Sequence, residues 1–221
     1  MQKVIYLDHA STTPTDPEVV KTMLPWFTQE YGNPSTVYSL GLTAAQVVQH
    51  ARESIAKHLG AESEEIYFTS GGTESDDWAV LGTAGAQQKK GRHLITSTVE
   101  HHAVLESMEH LEKHGYQVTR VPVDSGGLVD PESVRRAVRP DTILVSIMHA
   151  NNEVGTIQPI AEIGKITREA GVLFHVDAVQ TAGKQPLDVN ELGVDMLSVS
   201  AHKLYGPKGV GLMYLRKRTR I

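Results

Sequence analysis

A lysine lies at an unusual place in this chain, between an apolar stretch and a glycine-containing turn. Lys203 belongs to the segment SAHKLYGPKG, residues 200–209, and comes just after the apolar run VDMLSVS. The cation is either a solvated turn residue or an amine that reacts. Lysine amines form Schiff bases with carbonyl compounds, so the second interpretation predicts covalent chemistry with an aldehyde.

Other predicted strand ends carry residues that suit ligand binding. After EIYFTS, Gly71 and Gly72 allow a tight turn into a helix, whose free N–H groups bind phosphate well; a plain strand-to-helix turn is the alternative. His101 comes shortly after the run HLITST. Asp177 follows VLFHV, where a carboxylate is costly unless it meets a positive partner, and Gln180 lies three residues later.

Histidine and asparagine residues raise two further possibilities. The pair His101 and His102 suits a metal, but its neighbours supply few further ligands, and His110 and His114 do not form an H-E-x-x-H motif. We therefore predict no metal site. The segment HANNEVGT, residues 149–156, contains either turn-forming residues or polar ligands for a substrate.

The phosphate-type loop, the imidazole, the buried acid, the glutamine and the lysine together match the needs of pyridoxal 5′-phosphate (PLP). Its phosphate suits a helix N-terminus, and its aldehyde suits a lysine as a Schiff base. Its pyridine nitrogen suits a carboxylate, and mutual attraction should lower the pKa of that carboxylate, Asp177. Each residue alone has an ordinary structural explanation, but the five are not expected to share one sheet edge by accident.

The order of elements explains why these residues should meet. Runs typical of strands alternate with helical patterns, which predicts an open α/β sheet with helices on both faces and ligands at the carboxyl ends of the strands. The predicted strands are 65–70, 93–98, 116–122, 142–148, 172–178 and 195–200, with a last strand of different direction at 209–216. The predicted helices are about 42–59, 73–89, 102–114, 130–138 and 159–170, after a less regular start that includes an ordered loop at 31–41.

Composition narrows the class of protein. The 221 residues are enough for one sizeable core, and the net charge of −5 argues against direct nucleic-acid binding. The chain contains no cysteine, which excludes disulfides and thiolate metal sites. Its start lacks the pattern of a signal peptide and no run is long enough to cross a bilayer, so we expect a cytoplasmic enzyme or binding protein without membrane contact.

Seven segments stand out in a fixed order: YLDHASTTP (6–14), YGNPST (31–36), FTSGGTES (68–75), EHHAVL (100–105), HANNEVGTIQPI (149–160), HVDAVQ (175–180) and SAHKLYGPKGVG (200–211). Together they resemble the cysteine desulfurases, the NifS-like branch of the class V aminotransferase superfamily. The resemblance implies a fold-type I PLP-dependent transferase large domain, an α/β structure with a mostly parallel sheet flanked by helices. We divide the chain into an N-terminal segment, 1–15, and this PLP-binding domain, 16–221.

The resemblance also implies an activity and its partners. Such enzymes convert L-cysteine to L-alanine and pass the sulfur on as a persulfide, for iron–sulfur cluster assembly or tRNA thiolation. The expected partners are a second copy of the chain in a homodimer and a sulfur-acceptor protein or iron–sulfur scaffold.

Four matching residues surround the ring of the cofactor in the family. Lys203 matches the lysine of the Schiff base, which also moves the substrate's α-proton, and Asp177 matches the partner of the pyridine nitrogen. His101 matches the imidazole stacked on the ring, which is also a proton donor. Gln180 matches the donor to the phenolic oxygen.

Five further residues match the rest of the family's site. Gly72, Thr73, Ser200 and His202 match the phosphate contacts. Asn152 matches the asparagine near the cofactor ring and the substrate carboxylate.

The chain also departs from the family pattern. Family members are longer and carry a catalytic cysteine on a mobile loop beyond the lysine, a later glycine-rich phosphate contact, a later substrate-binding arginine and a small C-terminal domain. This chain ends at Ile221 without a cysteine, so we expect the cofactor half of a desulfurase, missing the small domain and inactive alone. Asp77 and Trp78 stand where the family usually has an asparagine and a small aliphatic residue.

Two alternatives remain open at this point. The first is another fold-type I PLP enzyme, such as an aminotransferase or a selenocysteine lyase; a keto-acid product would distinguish an aminotransferase. The second is a non-catalytic subunit that keeps the fold and binds a partner, which the absence of a PLP absorbance band would indicate.

Overall fold

The computed structural model describes residues 5–221, which contain one seven-stranded sheet. The strands in chain order are β1 (Ile66–Thr69), β2 (His93–Ser97), β3 (Gln117–Val121), β4 (Thr142–Ser146), β5 (Leu173–Asp177), β6 (Met196–Ser200) and β7 (Gly211–Leu215). Their order across the sheet is β1-β7-β6-β5-β4-β2-β3. The seven predicted strands are therefore confirmed.

Strand direction determines which residues share the functional edge. β7 is antiparallel to both β6 and β1, whereas all other neighbouring strands are parallel. The predicted mostly parallel sheet and the different direction of the last strand are both confirmed. Because two antiparallel pairings restore the original direction, β1 runs the same way as β6, and the turn after β1 lies at the carboxyl edge of the sheet.

Seven α-helices connect and cover the strands in the described part of the chain. They are α1 (Pro17–Thr28), α2 (Ser39–Leu59), α3 (Gly72–Asp77), α4 (Thr83–Gln87), α5 (His102–Lys113), α6 (Pro131–Ala137) and α7 (Ile160–Ala170). The helix predicted at 73–89 is divided into α3, a π-helical turn at Trp78–Gly82, and α4. None of the helices in residues 5–221 combines the length and apolarity needed to cross a membrane.

The sheet packs apolar residues against helices on both faces, as predicted. On one face, Phe174 and Val176 of β5 belong to a buried cluster with Leu59, Val134 and Ile163, which come from α2, α6 and α7. On the other face, strand residues including Leu144, Met196 and Met213 cluster with Val80, Val104 and Met108 of the helical region between α3 and the end of α5. Helices on two faces leave the strand ends as the open edge of the sheet.

The two residues that depart from the family pattern have local partners. The Trp78 ring packs edge-on against Tyr67, with centroids 5.5 Å apart. The Asp77 carboxylate accepts a hydrogen bond of 2.5 Å from the Ser107 hydroxyl of α5. These contacts tie the interrupted helix to β1 and α5.

Candidate active site

A cavity of about 670 Å³ lies at the carboxyl ends of the strands, within the roughly 300–1,000 Å³ usual for small-molecule sites. The structure brings together on its lining all nine residues that the sequence singled out: Gly72, Thr73, His101, Asn152, Asp177, Gln180, Ser200, His202 and Lys203. Asp177 and Ser200 are the last residues of β5 and β6, and the others lie in the segments that follow β1, β2, β4, β5 and β6. The alternation of strands and helices therefore places residues more than a hundred positions apart on one site.

Lys203 ends the short 3₁₀ turn Ala201–Lys203 that follows β6. Its Nζ donates hydrogen bonds to the carbonyl oxygens of Ala10 at 2.5 Å and Ser11 at 2.6 Å. Burial lowers the pKa of Lys203, and the nearby Lys184 lowers it further, against the opposing charges of Asp177 and Asp8. The amine therefore loses its proton more readily than that of a free lysine and is closer to its nucleophilic form.

Asp177 is the last residue of β5, and its side chain is buried beside the cavity. Its Oδ1 accepts a hydrogen bond of 2.9 Å from the backbone N–H of Val179. Burial raises the pKa of Asp177, although that N–H, His101 and Lys203 oppose the rise. This differs from the lowered pKa that we expect beside a pyridinium, because the lowering requires a cation inside the cavity.

The turn after β1 brings main chain close to the cavity. A Cβ atom on Gly72 would lie 2.7 Å from Cγ2 of Val179, so only a residue without a side chain fits here without a shift. A second, more open depression of about 440 Å³ shares Gly72, Thr73, Ser200 and His202 with the main cavity. This edge thus combines backbone N–H groups, hydroxyls and an imidazole, which suits an anion.

His202 lies between the strand end and the N-terminal region. Its Nδ1 is 3.0 Å from the Thr12 hydroxyl. Burial lowers the pKa of His202, and the charges of Lys203 and Lys208 lower it further. The ring is therefore neutral at neutral pH and acts as a hydrogen-bonding group rather than as a cation.

Residues 8–13 cover the lysine side of the cavity. Thr13 donates to the carbonyl oxygen of His202 through its backbone N–H at 2.9 Å and through its hydroxyl at 2.8 Å. Gln180 Nε2 donates to the Ala10 carbonyl at 2.9 Å. This segment therefore positions two site residues and shields the amine of Lys203, which contacts the same carbonyl oxygen.

His101 caps the N-terminus of α5 while facing the cavity. Its Nδ1 accepts a hydrogen bond of 3.2 Å from the backbone N–H of Ala103. A ring nitrogen that accepts must carry a lone pair, so the neutral ring holds its proton on Nε2. Helix capping thus fixes both the orientation and the tautomer of this imidazole.

The two asparagines of HANNEVGT have different environments. The buried Asn151 donates to the Val99 carbonyl at 2.9 Å and accepts from the backbone N–H groups of Glu153 and Val154, each at 2.9 Å. It therefore shapes the turn. Asn152 is less buried, lines the cavity and donates at 3.2 Å to Glu153, so it is the one available to a ligand.

Metal binding has no geometric support in the described residues. Within 5–221, no group of three or more histidine, aspartate or glutamate side chains is arranged to hold a metal ion. His110, near the end of α5, and His114, which follows the helix as its C-cap, are both exposed, with ring centroids 4.2 Å apart, as expected for surface residues.

Sequence reasoning assigned no role to two buried acids on the cavity, Asp76 and Glu100. Oε1 of Glu100 accepts from the Ser97 hydroxyl, whereas its buried Oε2 has no partner within the described chain. Burial raises the pKa of Glu100 to about 8 and raises that of Asp76 well above its usual range. The sequence signal that could have identified these two acids was their position, because Glu100 directly precedes His101 and Asp76 lies one helical turn after Gly72.

The sheet order, the carboxyl-edge cavity and the residues lining it define the large domain of a fold-type I transferase. Residues 5–220 match the family described as Aminotransferase class-V, and the chain belongs to this family. The fold class and the family resemblance predicted from the sequence are both confirmed.

Named relatives make the similarity more specific. The chain is 55% identical over 221 residues to the cysteine desulfurase IscS of Dictyoglomus turgidum, covering 100% of this chain and 56% of that protein. A solved structure of a NifS-like protein shares 45% identity with a TM-score of 0.96, covering 99% of this chain and 60% of the other. A structure described as SspA in complex with cysteine shares 42% identity with a TM-score of 0.95, covering 97% and 62%. The chain thus spans little more than half the length of these relatives.

Proposed function

We propose that these residues form the PLP-binding large domain, 16–221 after an N-terminal segment 1–15, of a cysteine desulfurase. The observation that carries this proposal is the meeting of Lys203 and Asp177 on one cavity, in a chain whose relatives are named cysteine desulfurases along its whole length. The lysine suits an aldehyde, and the acid suits a protonated ring nitrogen.

Two features of the cavity support PLP as the cofactor. Asp177 is a buried carboxyl whose pKa burial raises, so its ionised form needs a cation in the cavity, and a protonated pyridine nitrogen supplies one. The absence of a side chain at Gly72, where a Cβ atom would crowd Val179, leaves backbone N–H groups accessible to a phosphate.

The residues that would hold PLP divide into two groups. Those facing the ring are Lys203 at the aldehyde, Asp177 at the nitrogen, His101 against the ring face and Gln180 at the phenolic oxygen. Those at the phosphate are Gly72, Thr73, Ser200 and His202, with Asn152 near the ring and the substrate carboxylate. When bound, PLP supplies an electron sink that stabilises negative charge at the substrate's Cα.

The chain's own residues handle protons and orientation. The Nζ of Lys203, whose pKa burial lowers, removes and returns the proton at the substrate's Cα. The Nε2 of His101 carries a proton that it can donate, because Nδ1 is occupied by the helix cap. Asn152 orients the substrate, and residues 8–13 restrict water on the lysine side.

The proposed substrate is L-cysteine, and the proposed products are L-alanine and a persulfide. The related SspA structure is described as a complex with cysteine, which supports this substrate class. Sulfur transfer needs a thiolate, and these 221 residues contain no cysteine, so the acceptor thiolate must come from outside them. The same proposal includes a homodimer and a cytoplasmic location. It also includes a sulfur-acceptor protein or iron–sulfur scaffold, which serves either iron–sulfur cluster assembly or tRNA thiolation.

Product analysis tests this proposal. The PLP-loaded protein is incubated with L-cysteine, a polypeptide equivalent to the C-terminal half of a full-length relative, and a dithiol reductant that releases persulfide sulfur as sulfide, and alanine, sulfide and keto acids are measured. Equal amounts of alanine and sulfide support the desulfurase. A keto acid without sulfide would indicate an aminotransferase, and the absence of any PLP absorbance band would indicate a non-catalytic subunit.

A further inference from the structure

A buried polar cluster lies beneath Asp177 and has no role in the chemistry described above. His175 lies two residues before Asp177 on β5, so both side chains point to the same face of the sheet. Asp76 of α3 reaches this face, and its Oδ1 lies 3.5 Å from Nε2 of His175. Asp76 and Asp177 both line the cavity, whereas His175 is fully buried behind them.

Serine hydroxyls fix the position of the imidazole. Nδ1 of His175 lies 2.8 Å from the Ser146 hydroxyl, and Nε2 lies 2.9 Å from the Ser198 hydroxyl. Hydroxyls both donate and accept, so either tautomer of the ring is satisfied. Ser146 and Ser198 come from the strands on either side of β5, which holds the ring in place from both sides.

The charges around Asp76 do not support its ionised form. Burial raises the pKa of Asp76, and the nearby acids Asp177, Glu100 and Asp77 raise it further, whereas the Ser198 hydroxyl opposes the rise. Within residues 5–221, no lysine or arginine forms an ion pair with it, and His175 is its one basic neighbour. Burial in turn lowers the pKa of His175 to about 3, so the imidazole does not hold a second proton without a negative partner.

We propose that Asp76, whose buried Oδ1 has no hydrogen-bond partner within the described chain, keeps its proton beside a neutral His175, so that the two form an electrically neutral pair and Asp177 is left as the ionised carboxylate facing the cofactor nitrogen. Two adjacent buried carboxyls cannot both ionise without a large cost, so a proton kept on this pair allows Asp177 to keep its charge. Asp76 is thus a positioning residue that acts through Asp177. This assignment rests on the proposed function for the part that concerns the cofactor nitrogen.

Infrared spectroscopy of protein labelled with ¹³C at the aspartate carboxyls tests the pair directly. The label separates aspartates from Glu100, so a carboxylic-acid band at pH 7 reports protonated aspartate alone. We expect this band in the wild-type protein, with or without PLP, and expect Asp76→Asn to remove the intensity of one carboxyl. The matched control Asp77→Asn, on the neighbouring residue, should retain it.

Several outcomes would overturn the pair. The first is absence of the band from PLP-loaded wild-type protein, and the second is full band intensity in Asp76→Asn. The third is an equal loss of band intensity in the control Asp77→Asn. The fourth is loss of the band in PLP-loaded Asp177→Asn. The first comparison needs no variant, so absence of the band can overturn the proposal even if Asp76→Asn does not fold.

A second readout links the pair to the cofactor. Because the pair is neutral, Asp76→Asn should move the midpoint of the pH titration of PLP absorbance by less than about 0.3 pH units, whereas loss of a real negative charge beside Asp177 would move it by about one unit or more. A shift of that larger size would contradict the neutral pair. Failure of PLP to bind at all would instead contradict the proposed function, since the infrared band of the cofactor-free protein does not depend on it.

Discussion

Asp177 and Lys203 line the same cavity from the ends of adjacent strands, and burial acts on them in opposite directions. It raises the pKa of the acid and lowers that of the amine, so both charged forms are disfavoured, although each opposes the shift of the other. Their mutual attraction does not restore either pKa. A ligand that forms a covalent bond with the amine and presents a cation to the acid satisfies both groups at once, as PLP does.

Replacing Asp177 should weaken cofactor binding without unfolding the protein. A hydrogen bond to a charged group contributes about 1.5–3 kcal/mol, so Asp177→Ala should raise the Kd for PLP about 10- to 100-fold. It should also remove the absorbance of the protonated ring. Spectroscopic titration measures both effects, with Asp141→Asn, which lies outside the cavity in an ion pair with Arg139, as the control. An unchanged spectrum and affinity would refute the assigned role.

Glu100 should make the free energy of unfolding depend on pH. Its pKa is about 8 in the folded chain against 4.5 for the ordinary group, so the folded state keeps a proton that the unfolded state releases. Stability should therefore fall as the pH rises from about 4.5 to about 8, by roughly 3–6 kcal/mol for this group, and stay level above that.

Glu100→Gln should remove this loss, because the amide replaces a neutral acid and can still accept from Ser97. Urea unfolding at pH 5.5 and 8.5 checks the prediction. The variant should lose less stability than the wild type between the two pH values. Equal losses would mean that Glu100 ionises normally in the folded protein.

Gly72→Ala tests the close approach of the backbone to the cavity. The new Cβ would meet Cγ2 of Val179 at 2.7 Å, so we expect about 1–3 kcal/mol of destabilisation together with weaker PLP binding. Gly85→Ala is the matched control, since nothing lies within 4 Å of its Cβ position in α4 and alanine favours a helix. Adding Val179→Ala should restore part of the stability and PLP binding that Gly72→Ala loses. Unchanged stability and PLP binding in Gly72→Ala would contradict the predicted clash.

The 221 residues should not release sulfide from L-cysteine at an enzymatic rate by themselves. They contain no thiolate to accept the sulfur, although Lys203, Asp177 and His101 are present to bind and activate the substrate. Sulfide assays of the PLP-loaded chain in the presence of a dithiol reductant, with and without a C-terminal polypeptide bearing the family's cysteine, measure this directly. Robust sulfide release by the chain alone would show that the sulfur acceptor is not a protein cysteine.

The sequence predicted the sheet well because buried strands leave a strong apolar pattern. It missed α1, although a signal was present: Asp16 and Pro17 begin this helix in the same way as Asp130 and Pro131 begin α6, which lies within the predicted helix 130–138. The helix is rich in apolar residues, but none of them is buried, and it precedes the alternation of strands and helices from which the other elements were predicted. The sequence also did not predict the π-helical turn at Trp78–Gly82, where Trp78 packs against Tyr67 of β1, because contacts between distant segments leave no local pattern.

The site was predictable where residue type and strand end coincide, as at Lys203 and Asp177. The acids Asp76 and Glu100 were not assigned roles, because acidic side chains near the start of a helix are usually exposed to solvent. Only the three-dimensional structure shows that both are buried on the cavity wall. Their raised pKa values depend on burial, which neighbouring strands and helices create.

The most direct test of the central claim is the position of the covalent cofactor. The protein is incubated with PLP, reduced with borohydride, digested and examined by mass spectrometry. We expect a pyridoxyl group on Lys203, its loss in Lys203→Arg, and unchanged labelling in Lys208→Arg, whose residue borders only the neighbouring depression. A pyridoxyl group on Lys208 or Lys184 instead, or no labelled lysine, would contradict the assignment of this cavity as a PLP site.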